Sequence, residues 1–92
     1  MAKEIKTKQG YTVLKVSIDD IVSWGGIGIC DSCNTTMMQG YLIYVLNACY
    51  CGECFSRWDS EAKFYKEDLA VEQRIKSFYS KYVKLESEEN EQ

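Results

Sequence analysis

A small α+β domain folded around one bound metal ion is the fold class this sequence predicts, and three observations predict it. Four of the five cysteines fall into two C-x-x-C pairs, Cys30-Asp31-Ser32-Cys33 and Cys51-Gly52-Glu53-Cys54, with 17 residues between them. The intervening segment holds the most strand-like run of the chain. The segment after Cys54 changes to helical spacing. Ninety-two residues suit one domain, and a chain this short buries only a modest fraction of its surface, so small folds often add a metal or disulfides to an otherwise marginal core.

Taken in order, residues 1–10 read as a flexible lead-in closed by Gly10. Tyr11 to Val16 is rich in aromatic and β-branched residues and reads as a strand. Ser17 followed by Asp20 fits a helix-capping pattern, because hydroxyl and carboxylate can both satisfy free N–H groups. One or two turns over Ile18 to Trp24 follow, ended by Gly25 and Gly26. Tyr41 to Leu46 reads as a strand that turns at Asn47 and returns through Ala48 to Cys51, a β-hairpin between the cysteine pairs. Phe55 to Tyr65 reads as a first helix. Asp68 can cap a longer amphipathic helix reaching Leu85, with Val71, Ile75, Phe78, Tyr82 and Leu85 as its apolar stripe. The single zinc-binding domain is thus expected over residues 11–86, and 87–92 as a disordered acidic tail.

The cysteine spacing carries the chemistry. Two residues between thiolates let both sulfurs reach one ion about 2.3 Å away, and a loop of 15–20 residues can return as a hairpin to bring in the second pair. Cys30, Cys33, Cys51 and Cys54 are therefore the expected ligands. Four soft thiolates in a tetrahedron suit Zn2+, and iron can occupy the same geometry. Four protein ligands close the coordination sphere, which leaves no position for a reactive water. Cys49, on a strand, points to the same side as Cys51; it reads as a small buried support of the hairpin rather than a fifth ligand.

The two pairs differ. Asn34, which tolerates a left-handed turn, follows the first, whereas the second runs into Phe55-Ser56-Arg57-Trp58 with no glycine to stop a helix. A knuckle, a hairpin and a pair at a helix start resemble the treble-clef zinc module, including the half-modules of LIM domains, over residues 27–65. That resemblance implies that Cys30 and Cys33 sit on the knuckle and Cys51 and Cys54 in the first helical turn. The stretch CDSC…GYLIYVLN…CGECF is also similar to small four-cysteine zinc proteins of bacterial and phage genomes, a likeness that carries no function with it.

Several function classes fall away. Without histidine, the usual triads and Cys–His dyads cannot be built. The cysteine pairs lack a surrounding βαβ pattern, and the chain has no proline to supply the cis-proline of thioredoxin-like sites. Gly25-Gly26-Ile27-Gly28 does not match a nucleotide loop. The expectation is a non-enzymatic protein. No apolar run is long enough to span a bilayer, and Lys-rich residues 1–10 are unlike a signal peptide, so a cytoplasmic location is expected. Tyr41, Tyr44, Tyr50, Phe55, Trp58, Phe64 and Tyr65 are more aromatics than a hairpin and short helix need; Tyr44 and Trp58 are candidate anchors for a protein partner of unknown identity. The alternative is a nucleic-acid-binding, zinc-finger-like regulator contacting phosphates through Arg74, Lys81 and Lys84. A formal charge of −3 disfavours that reading, since nucleic-acid affinity rewards positive charge.

Overall fold

The computed structural model describes residues 2–83. Four antiparallel strands form one sheet in the order β1-β2-β3-β4, with β1 at Lys3–Lys6, β2 at Thr12–Ser17, β3 at Gln39–Ile43 and β4 at Ala48–Tyr50. Three helices complete the fold: α1 at Ile18–Ser23, α2 at Gly52–Glu61 and α3 at Asp68–Tyr79. The α+β class read from the sequence is the one observed.

Strand alternation splits the sheet into two unlike faces. Ile5, Val13, Ile43 and Ala48 are aligned across the four strands and share one face. Here α2 lies against the sheet: Phe55 stacks on Tyr41 at 4.3 Å between ring centroids, and Trp58 packs on Tyr11 at 5.5 Å. The adjacent row, Glu4, Leu14, Leu42 and Cys49, points the other way. On that side Leu14, Val16 and Leu42 form the main buried cluster with Ile21 of α1 and Tyr79 of α3.

α1 starts where its sequence says it should. Ser17 accepts the Asp20 N–H, and the Asp20 carboxylate accepts the Ser17 N–H at 2.9 Å, completing a capping box. Gly26 lies so close to Ile21 that a Cβ would sit 2.5 Å from its side chain, so glycine there lets the chain turn tightly back over α1.

Both later helices are shorter than the sequence reading has them, α2 ending at Glu61 rather than Tyr65 and α3 at Tyr79 rather than Leu85, and three elements differ in kind or phase. The expected flexible lead-in contains β1, because Glu4 and Ile5 find register with Leu14 and Val13 and the Glu4 carboxylate pairs with Lys76 at 2.8 Å. The strand expected to continue to Leu46 ends at Ile43 and passes into a 3₁₀ turn over Tyr44–Leu46, closed by Asn47 in the left-handed conformation at φ 52°. The third difference is the phase of α3. Its inward side carries Glu72, Ile75, Tyr79 and, just beyond the helix, Val83, whereas Phe78 and Tyr82 of the expected stripe are about half exposed. The cause is a buried acid: Glu72, 3% exposed, accepts the Thr12 N–H at 2.6 Å. A carboxylate with a backbone donor can be buried where an unpaired one cannot. Asp68, expected as a cap, makes no cap bond and instead accepts the Tyr11 hydroxyl at 2.6 Å. Lys84, Leu85 and the 87–92 tail lie outside the described residues.

Candidate metal centre

The first pair is presented by a tight knuckle. Cys30 donates its N–H to the Thr35 carbonyl, and Asn34 donates back to the Cys30 carbonyl, both at 2.9 Å. Closing that loop requires a positive φ, and Asn34 supplies it at 64°. Flanking the loop, Ile29 bridges Thr36 and Met37 donates to the Gly28 carbonyl at 2.8 Å. The knuckle is fastened to the sheet through Asp31. Its N–H donates to the Cys49 carbonyl at 2.9 Å, and its carboxylate accepts the Cys49 N–H at 2.8 Å. One aspartate thus satisfies both outward backbone groups of Cys49 on the edge strand β4. The sequence reading passed over Asp31, because nothing local marks a residue whose partner lies 18 positions away.

The second pair straddles the start of α2. Cys51 is the N-cap residue in extended conformation, and Cys54 lies in the first turn. The helix start brings these two sulfurs to the knuckle. The Sγ atoms of Cys30, Cys33, Cys51 and Cys54 all lie within 4.8 Å of one another. A tetrahedron with metal–sulfur arms of about 2.3 Å has edges of ~3.8 Å, and Cys33 Sγ and Cys51 Sγ are 3.8 Å apart. The four thiols are therefore positioned to hold a metal ion, with a spacing that fits zinc.

Hydrogen bonding prepares the sulfurs unequally. Cys30 Sγ accepts N–H bonds from Ser32 at 3.4 Å and Cys51 at 3.2 Å. Burial opposes ionisation of this thiol, but the surrounding backbone donors outweigh it and bring it down to about 6. Cys33 interacts with the Thr35 hydroxyl at 3.0 Å, and that side chain, with the Thr35 backbone, holds it below the ordinary thiol range. Cys54 goes the other way. Ser32 lowers it, yet burial and the neighbouring thiols of Cys33, Cys51 and Cys30 leave it at about 11. Four sulfurs at this distance cannot all ionise by themselves; a divalent cation removes the mutual repulsion and favours thiolate at every position.

Cys49 stays out of the cluster, as its sequence position led us to expect. It is buried, its sulfur sits over Gly40 where a Cβ would come within 2.9 Å, and desolvation pushes its thiol up to about 12.

The remaining sequence candidates scatter over the surface and core. Tyr44 was expected as an exposed anchor; it is 2% exposed, buried within the 3₁₀ turn as part of the main cluster, and is removed from the candidate surface. Its burial follows from the turn itself, which swings the side chain off the strand's alternation. Trp58 is partly exposed and lines a groove of about 300 Å³ with Val45, Leu46, Tyr65 and Asp68. Arg74 and Lys81 are exposed and well away from the cysteines in sequence. No helix among the described residues is long and apolar enough to cross a membrane. No protein-family model, curated protein or solved structure matches the chain.

Proposed function

We propose that this protein is a non-catalytic module whose fold is organised by one structural Zn2+ bound to Cys30, Cys33, Cys51 and Cys54, and that it serves as a binding surface for another protein. The observation that carries the metal half of this reading is the convergence of four sulfurs from two separate elements to within 4.8 Å. The order of knuckle, β3–β4 hairpin and α2 supports a treble-clef-like reading of residues 27–65. With four protein ligands the metal has no open position, so its role is to tie the knuckle to the helix rather than to activate water. Native mass spectrometry tests this directly: one zinc per chain is expected, and none after Cys33→Ala or Cys54→Ala.

The protein-binding half rests on the groove beside Trp58. Leu46 and Tyr65, both exposed, line it, and an aromatic side chain with aliphatic neighbours is the kind of surface that anchors partners. A photo-crosslinking amino acid introduced at Lys63 on the groove wall should capture a discrete protein in cells. Leu46→Asp should abolish the adduct while zinc content is retained.

A specific pattern supports the second reading, nucleic-acid binding. Arg74 on α3 and Lys81 just past its end are both exposed, and neither has an ion-pair partner among the described residues. Lys3 and Lys15 face one another across β1 and β2, and the same row continues into Tyr41 and Tyr50. Cations beside aromatics suit phosphates and stacked bases. Retention on single-stranded DNA or RNA that collapses between low and moderate salt would favour this reading over the first.

A further inference from the structure

The four sulfurs of the centre are not equivalent. Cys30 and Cys54 are buried, at 0% and 6% exposure, whereas Cys51 is intermediate and Cys33 is exposed. An open cleft of about 540 Å³ adjoins the centre, lined by Cys33, Thr35, Cys51, Glu53, Cys54 and Arg57; Cys30 does not line it. Donors follow the same asymmetry. Cys30 receives two backbone N–H bonds, from Ser32 and Cys51, whereas Cys33 Sγ meets the Thr35 hydroxyl at 3.0 Å. Reaction at a sulfur needs access to it, and Cys33 is the one exposed thiol of the four, so it is the sulfur an incoming reagent meets first.

We propose that Cys33 is the reactive ligand of the centre, the sulfur at which a hydroperoxide attacks first, and that Cys51 resolves it, so that oxidation closes a Cys33–Cys51 disulfide and expels the zinc. This rests on the tetrathiolate reading above. In the first step a lone pair of the Cys33 thiolate attacks one peroxide oxygen. The O–O bond breaks, and the departing hydroxide takes a proton to become water, leaving Cys33 as a sulfenic acid. In the second step the Cys51 thiolate, whose sulfur is 3.8 Å away, attacks the Cys33 sulfur. The S–S bond forms, and the sulfenic hydroxyl leaves as hydroxide and is protonated to a second water. Two thiolates have lost two electrons and hydrogen peroxide has gained them. The metal, reduced to Cys30 and Cys54, is no longer held by a closed shell. The new bond joins the knuckle to the N-cap of α2, the same two segments the metal joined. Oxidation therefore exchanges one clamp for another.

The test uses the zinc-loaded protein and hydrogen peroxide. Released zinc is followed with a chromogenic chelator, remaining thiols are blocked with an alkylating agent, and the disulfide is located by peptide mass mapping. One zinc should leave for each chain that loses two hydrogens. The mapped bridge should join Cys33 to Cys51, with Cys30, Cys49 and Cys54 recovered as alkylated thiols. Substoichiometric iodoacetamide on loaded protein should label Cys33 before any other cysteine, and Cys49→Ser should leave the rate of zinc release unchanged. A first bridge between Cys30 and Cys54, a bridge to Cys49, or first labelling at a buried sulfur overturns this proposal while leaving the metal site intact. Protein that never binds zinc overturns the tetrathiolate reading, and this proposal with it.

Discussion

The two ends of this sheet are held by different physics. At the β4 edge the knuckle and the start of α2 meet through four sulfurs and the paired bonds of Asp31 with Cys49; most of the knuckle is exposed. Away from that edge, in the two middle strands and on the face they share with Cys49, Leu14 and Leu42 are almost completely buried in a cluster with residues of α1 and α3. The first region depends on directional bonds and, on the function proposed above, on a cation. The second depends on apolar area and close packing, which is insensitive to a chelator. A chain of this size can combine both because neither alone suffices.

The comparison can be broken by removing the cation. Zinc bound to finger peptides is worth on the order of 10–16 kcal/mol of apparent binding energy at neutral pH, more than many small domains have in total stability. Cys54→Ala, or a strong chelator, is expected to unfold the metal end and lower protection of the whole sheet, read by amide hydrogen exchange. If the Leu14 and Leu42 amides remain fully protected without metal, the two regions are independent. Next in size, Leu42→Ala should cost about 2–5 kcal/mol by chemical denaturation, because its cavity opens in the middle of the buried face. One zinc should remain bound in that variant while it is folded. Glu72→Ala should cost about 1–3 kcal/mol, since it orphans the Thr12 N–H beneath α3. Ser17→Ala removes the hydroxyl half of the α1 capping box at about 1 kcal/mol. Smallest of all, Lys76→Ala breaks the partly exposed pair with Glu4 and is expected to cost less than about 1 kcal/mol, diminishing further with salt.

Much of the metal end was legible in the sequence because its determinants are local. Cysteine spacing, the turn-tolerant Asn34 and the absence of a helix stop after Cys54 all act over a few residues. The Ser17–Asp20 cap was legible for the same reason. What escaped was set by distant partners. β1 contains one large apolar residue, Ile5, and becomes a strand only by pairing with β2. Nothing local marks Glu72 as buried, because its partner, Thr12, lies 60 positions away. Tyr44 belongs to a run of strand-forming residues, yet the turn closed by Asn47 takes it out of the sheet and into the core. The phase of α3 was misread for the same reason: a buried carboxylate displaced the aromatics that periodicity would have put inside.

The order of elements along the chain has a consequence for synthesis on the ribosome. The four cysteines of the proposed metal site lie between residues 30 and 54, and the four strands of the sheet precede α2. The clamp can therefore load and the sheet can close while α3 is still inside the exit tunnel. Until α3 emerges, the cluster around Leu14 and Leu42 lacks Tyr79 and Val83. The nascent chain passes through a stage that is metal-locked yet sticky on one side, and this is the moment at which a chaperone or a neighbouring nascent chain has most to bind.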